Sequence, residues 1–562
     1  MRAAILPFAA AWLMFAASMA ASEDFDVLIR GGTVYDGSGA PGRKIDVGLR
    51  GDRIAVLGEL RDSTAKQIVD AKGLAVAPGF INMLSWATDS LLVNGNSQSD
   101  IRQGVTLELL GEGMSLGPLN EAMKQRFGAR LRKLGVEMSW TTLAQYLELL
   151  EKRGVSPNVA SFVGATTVRF YVIGAANRAA TPAELQSMQQ LVRQAMREGA
   201  FGVSAALAYA PAAFADTQEL IALSKVAGEF GGIYISHVRN EGDRLVESVD
   251  EAIQIARAAK VPAEIYHLKA LGAANWGKLG IVIDRIEAAR KAGIKITADM
   301  YPYTASATGL DVTMPPWVQE GGLEAWIERL KDPVIRARLV TQMRAPSTST
   351  WSNRLRNVGS PENVLILGVK SPRLRSIVGK TLGAIARERG TSMEDTVIDL
   401  VIEDGSRLQV AYFLMSEDNI RRALALPWVS FGSDADSPTV VTGGSQDPEH
   451  PRAYGTFARV LGKYVREDKI ISIEEAVRRL SALPAQTLGI EDRGRLEVGR
   501  YADVVIFDPA TIADRSTFAD PHRYAVGMRH VFVNGVQVLA DGEHTGARPG
   551  RFVRHRARAT DQ

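Results

Sequence analysis

The sequence predicts an α/β protein built on a (β/α)8 TIM barrel, with a smaller β domain to which both ends of the chain contribute. Three observations carry this prediction. Short apolar strand candidates alternate with amphipathic helical stretches such as Pro182–Glu198 and Val246–Ala259. Eight such strands can be counted, the number a TIM barrel requires. Finally, β-branched runs punctuated by glycine occur only near the two chain ends.

In chain order, residues 1–20 open with Arg2, run through apolar Ala3 to Ala17 and end in Ser18-Met19-Ala20, the small-x-small pattern of signal-peptidase cleavage. The run is short for a bilayer span, so a cleaved secretory signal is expected rather than an anchor. The mature chain is then periplasmic or secreted, without stable membrane insertion. Zero cysteines exclude disulfides, thiolate ligands and a cysteine nucleophile. Residues 22–76 hold the first β segment, with Val27-Leu28-Ile29, Ile45–Leu49 and Ile54–Val56 as hairpin strands. Residues 485–556 hold the second, with Ala502–Phe507 and Val531–Val538, the latter turning on Asn534-Gly535.

The barrel is expected over 77–484. Its strands are Ala77–Met83, Val105–Gly111, Val159–Gly164, Phe201–Ala205, Ile233–His237, Ala263–His267, Ile294–Met300 and Val429–Asp434. Strands seven and eight lie too far apart for one βα unit, so an insertion is placed at about 310–425, with strand candidates Val364–Gly368 and Gln409–Leu414. Residues 557–562 are expected to form a tail, and the five arginines of the last fifteen residues, Arg548, Arg551, Arg554, Arg556 and Arg558, are expected to be solvated. With 66 Lys and Arg against 63 Asp and Glu, the charge is near balance, which excludes a nucleic-acid partner.

Of seven histidines, five lie after the barrel strands. His237 ends strand five and His267 ends strand six, and the carboxyl ends of barrel strands are where active sites are built. Glu112 follows strand two and Asp434 ends strand eight, at the same mouth. The four together suggest a hydrolytic metal site: Glu112, His237 and His267 as ligands that leave a position for water, with Asp434 as base. Taken singly, each has a plainer explanation, a hydrogen-bonded packing histidine or a carboxylate capping the next helix.

Longer runs add a resemblance. Pro78-Gly79-Phe80-Ile81, Ser236–Asp243, His267-Leu268-Lys269, Tyr301–Ser306, Gly432-Ser433-Asp434, His450–Phe457 and Gly542–Gly550 resemble the N-acyl-D-amino acid deacylases (D-aminoacylases) of the amidohydrolase superfamily. The resemblance spans about Asp26 to Arg554. It implies a distorted (β/α)8 barrel of the metal-dependent amidohydrolase type with a small β-sandwich made from both termini. It also implies hydrolysis of small N-acyl-D-amino acid substrates to a carboxylate and a free D-amino acid. By the same resemblance His237 and His267 match the family's metal histidines, Asp434 its catalytic aspartate, and Lys269, Tyr301 and Ser306 the motifs that hold the substrate carboxylate.

Three stretches depart from that pattern. The family usually ends strand one in His-x-His, a second metal position, where this chain has Leu84 and Trp86. A cysteine after strand two is replaced by Glu112, and an expected histidine by Ala165. Strand four carries no lysine that could bridge two ions. One Zn²⁺ per chain is therefore expected. A D-dipeptidase, another small-amide hydrolase and a non-catalytic relative that binds acylated amino acids or peptides are the alternatives.

Overall fold

The computed structural model describes residues 24–348, 351–440 and 448–556, so the expected signal 1–20 and tail 557–562 lie outside the described residues. Eight strands ring the barrel: Phe80–Asn82, Val105–Leu110, Asn158–Ser161, Gly202–Ala206, Ile233–His237, Ala263–Ile265, Ile296–Met300 and Val429–Phe431. They correspond one for one to the eight expected strands. Neighbours pair in parallel, but the ladder is broken into a three-stranded and a six-stranded sheet. At one break strand three is interrupted at Phe162, so that Asn158–Ser161 pairs with strand two and Val163–Gly164 with strand four; at the other, Met83 N–H donates to Phe431 C=O at 3.3 Å and Asp434 N–H to Leu84 C=O at 2.9 Å. The barrel is therefore a distorted one.

Helices pack outside the strands, as the 3.6-residue periodicity requires. Pro182–Arg197 shows how one is specified: Thr181 and Glu184 form a reciprocal capping box, Pro182 opens the first turn, and Met188, Val192, Ala195 and Met196 are buried. Inside the barrel, Ile81, Leu107, Leu109, Ala160, Phe162, Ile235 and Tyr266 pack with Ala485 and Leu488 of the helix Ala482–Leu488.

The two chain ends build a β-sandwich. A four-stranded sheet from residues 25–70 faces a seven-stranded sheet that combines Thr33–Val34, Arg43–Lys44 and Ala75–Pro78 with strands from 504–544. Val27, Ile29, Val47, Leu49, Val504, Ile506 and Phe532 form its core. Asn534-Gly535 makes the expected hairpin turn, with φ of 50° and 79°.

Several boundaries differ from expectation. The first expected strand is two: Ala75–Pro78 pairs with Val504–Phe507 in the sandwich, and Phe80–Asn82 starts the barrel. Gly79 makes the crossing, where a Cβ would lie 2.0 Å from the Thr106 hydroxyl. Strand six stops at Ile265 and strand eight at Phe431, so His267 and Asp434 sit on the loops beyond. The insertion begins earlier than 310: Ala305–Thr308 pairs with Gln409–Phe413, which pairs with Val364–Gly368, over a core of its own. Arg558 lies outside the described residues, and Arg548, Arg554 and Arg556 are exposed as expected, but the segment that carries the arginines is bound to the rest of the fold. Arg551 pairs with Asp52, Arg554 with Glu148 and Arg556 with Asp492, while Val553 N–H donates to Val159 C=O and His555 N–H to Gly199 C=O. Residues 551–555 thus run beside the barrel at the start of strands three and four. Among the described residues no helix is long and apolar enough to cross a membrane.

Beneath strands one and two lies a buried carboxyl pair, Asp100 and Glu108, among Asn82, Ser85, Ser97 and Gln103. Burial, joined by the charge of Glu108, pushes Asp100 well up, and burial raises Glu108 against its serine hydrogen bonds. Both acids hold a proton more tightly folded than unfolded. Their contribution to stability is complete below about pH 4 and is lost as pH rises through the elevated folded values. Asp100→Asn removes one member of the pair. Between pH 5 and pH 8 its Tm should fall by about 1–3 °C less than that of the wild type, and coincident Tm profiles would show that the pair does not titrate.

Candidate active site

Glu112 is set by its neighbours. Gly111 and Gly113, with φ of 98° and 63°, fold the chain inward where a Cβ would lie 2.6 Å from the Phe162 carbonyl and 2.5 Å from Ala206 Cβ. The carboxylate so placed meets both expected histidines: Glu112 Oε1 lies 3.0 Å from His237 Nδ1 and 3.3 Å from His267 Nε2. All three residues are buried and can offer ligand atoms within 4.8 Å of one another. Ligands about 2.0–2.1 Å from a tetrahedral ion stand about 3.3 Å apart, so this donor set fits a divalent ion such as Zn²⁺.

The other nitrogens of both rings face a single carboxylate. Glu241 Oε1 is 3.1 Å from His267 Nδ1, and Glu241 Oε2 is 3.4 Å from His237 Nε2. The Lys269 ammonium also lies 2.5 Å from His267 Nδ1, and His237 Nε2 makes no hydrogen bond, so Glu241 faces the two rings chiefly through its charge. Glu241 is also paired with Lys269 at 2.5 Å and with Arg354 at 3.3 Å, all of them buried. Burial would raise Glu241, but Lys269 and the two histidines hold it well below the usual carboxylate range. Glu112 is likewise held low against burial by hydrogen bonds from His237 and His267. Burial opposes protonation of His237, yet the charge of Glu241 and the bond to Glu112 push it up to about 9. Burial lowers Lys269, with Glu241 opposing.

Asp434 lies beside this cluster and outside its ligand group. Its carboxylate accepts from the Trp86 indole at 3.2 Å and from Arg452 Nη1 at 2.6 Å, so these two groups, rather than a helix N-terminus, take it up. Asp434 and His267 are among the few residues other than glycine with positive φ, 50° and 37°. Such conformations cost about 1–3 kcal/mol and gather at functional sites.

The three residues expected at the substrate carboxylate are spread along a row of cations. Lys269 is turned onto Glu241. The Tyr301 ring lies 4.6 Å from the Arg452 guanidinium carbon and 5.6 Å from Lys269 Nζ. The Ser306 hydroxyl accepts from Arg354 at 3.4 Å. Leu84 is buried in the barrel core, and Ala165 starts the helix Ala165–Ile173.

Sequence reasoning missed Glu241, Arg354, Arg452 and the contact of Trp86. Glu241 had a usable signal, since it falls four residues after His237 within the quoted run Ser236–Asp243. Arg452 lies in the quoted run His450–Phe457. Arg354 comes from the insertion, with no strand end to mark it.

Comparison with known proteins bears directly on this site. The amidohydrolase family model matches residues 135–539. D-aminoacylase of Alcaligenes xylosoxydans xylosoxydans is 35% identical over 537 residues, covering 95% of this chain and 99% of the relative. A D-aminoacylase structure that addresses its binuclear metal centre, with one-metal activation and second-metal attenuation, has a TM-score of 0.78 at 35% identity, covering 94% of this chain and all of that one. N-acyl-D-glutamate deacylase of Bordetella bronchiseptica, in complex with zinc and a phosphonate mimic of the tetrahedral intermediate, has a TM-score of 0.77 at 32% identity, covering 95% and 100%. Similar along nearly its whole length to these deacylases, the chain belongs to the D-aminoacylase family of the amidohydrolases.

Proposed function

We propose that the protein is an exported one-metal hydrolase that cleaves the amide of an N-acyl-D-amino acid, releasing a carboxylate and the free D-amino acid. The convergence of His237 Nδ1 and His267 Nε2 on Glu112 Oε1 carries this reading, because it offers three ligand atoms at zinc spacing with a carboxylate base alongside. Family membership supports the substrate class. The signal-like segment 1–20 and the absence of cysteine support a periplasmic or secreted location.

Glu112, His237 and His267 would hold a divalent ion, which when bound would polarise a carbonyl and acidify water near neutral pH. Asp434 takes a proton from the attacking water and delivers it to the nitrogen that leaves, so the C–N bond breaks with a neutral amine departing. Arg452, Tyr301 and Ser306, with Lys269 behind them, orient the carboxylate of the amino acid half through charge-assisted hydrogen bonds. Glu241 keeps both imidazoles turned to the ion.

Metal analysis together with kinetics on a panel of N-acetyl-D-amino acids tests the proposal. A wild type that purifies without metal and turns over none of the panel would instead favour a non-catalytic binding protein. Asp434→Asn keeps size and shape but cannot accept the proton, so turnover should fall by about 100- to 10,000-fold while metal stays bound. Near-normal turnover at full occupancy would remove Asp434 from the chemistry.

Metal affinity separates the ligand from its support. Glu112→Gln should weaken Zn²⁺ binding, since a neutral amide oxygen is a poorer ligand. Glu241→Gln should weaken it by about 10- to 100-fold through lost orientation of both rings. Competition against a chelator measures both, and unchanged affinity in either variant removes that residue from the site.

A further inference from the structure

Trp86 is the residue at the barrel mouth whose chemistry is least expected. The residue is 39% exposed, yet its indole N–H donates to Asp434 Oδ1 at 3.2 Å. Its position is fixed by backbone. Trp86 N–H donates to Ala435 C=O at 2.9 Å and Asp434 N–H to Leu84 C=O at 2.9 Å, so the extensions of strands one and eight are zipped together at this point. Arg452 closes the other side of the carboxylate at 2.6 Å. Asp434 is thereby held in a left-handed backbone conformation by its own N–H and at both carboxylate oxygens.

The indole is a donor only. Its nitrogen lone pair belongs to the ring, so it neither takes up a proton near neutral pH nor coordinates a cation. Leu84, two residues earlier, is 1% exposed and packs in the barrel core, offering no ligand either. A cation approaching Asp434 from strand one would have to break the indole bond, and would find Asp434 as its single ligand from this wall. The related D-aminoacylase has a binuclear centre, and this wall does not suit a second ion.

We propose that Trp86 is a positioning residue standing where a second ion would act: its indole N–H, with the Arg452 guanidinium, aims the Asp434 carboxylate for proton transfer, so the site works with one ion and is indifferent to excess metal. This rests on the one-metal hydrolase proposed above.

Trp86→Phe keeps the aromatic ring and removes the donor. The expected result is a fall in kcat of about tenfold, with KM and bound Zn²⁺ near wild-type values, and no additional loss when the same change is made in Asp434→Asn. Wild-type kcat in Trp86→Phe, or the same loss in both backgrounds, overturns the proposal. Excess Zn²⁺ offered to wild type already holding one equivalent should give no further uptake that depends on Asp434. A second equivalent that disappears in Asp434→Ala overturns it as well. If the wild type binds one equivalent but turns over no N-acyl-D-amino acid, the deacylase reading fails by itself. Ultraviolet resonance Raman then decides the fate of Trp86. An indole hydrogen-bond band, identified by its absence in Trp86→Phe, that shifts in Asp434→Ala supports the contact, and one unmoved by Asp434→Ala overturns it.

Discussion

The mouth of this barrel depends on the burial of two carboxylates, Glu112 and Glu241, on opposite sides of two imidazoles. A buried carboxylate without partners costs several kcal/mol, and neither residue stands without them. Glu112 is matched by His237 and His267, and Glu241 by both rings together with Lys269 and Arg354. The arrangement gives each imidazole an inner and an outer face. Because Glu241 is already neutralised from the substrate side, an ion can take over the inner face without leaving the outer carboxylate unpaired. Arg354 reaches this network from the insertion, which ties the added sheet to the candidate site.

The same mouth is held rigidly from below. His267 N–H donates to the Asp299 carboxylate at 2.9 Å, Leu268 N–H to the Asp299 carbonyl at 2.8 Å, and Gly432 N–H to Met300 C=O at 3.2 Å. Strand seven therefore braces the loops that carry His267 and Asp434, the two positions where the backbone adopts an unfavourable φ. Loops free to relax would lose that geometry. Bonded to a parallel sheet, they keep the reacting groups in place at a cost the barrel core can absorb.

Much of this was legible in the sequence because strand ends carry their own marks. Ile233–Ser236 and Ala263–Tyr266 are short, mostly apolar runs, and the histidine that follows each stands out among only seven. The periodicity could not locate where strands six and eight stop, since apolar Tyr266 and small Gly432 and Ser433 continue the pattern after ladder bonding has ended. It also could not divide Ala77–Met83, because the change of partner at Gly79 is decided by Val504–Phe507, far along the chain. The roles of Glu241 and Arg452 were harder to read for a related reason, although both fall within family-like runs. Their importance comes from the partners they meet across the fold, and a glutamate or arginine in a loop has no local signature that separates it from solvent-facing charge. The C-terminal arginines misled in the opposite direction, since their acidic partners lie on other elements.

The way the two ends of the chain are joined has a consequence for how the molecule comes into being. Arg551 reaches Asp52 across 499 residues of sequence, and Arg53 binds the Gly499 carbonyl across 446. The four-stranded sheet of residues 25–70 can pair by itself, but Thr33–Val34, Arg43–Lys44 and Ala75–Pro78 wait for strands from 504–544 before the second sheet closes, and residues 551–555 settle against the barrel later still. Such distant pairing is slow to form and leaves early strand edges open in the meantime. Residues 551–555 are thus a fastening, made late and holding the first-made part of the chain to the barrel. A protein shortened by a dozen residues there would keep every group of the reaction centre and lose the clasp that closes the structure around it.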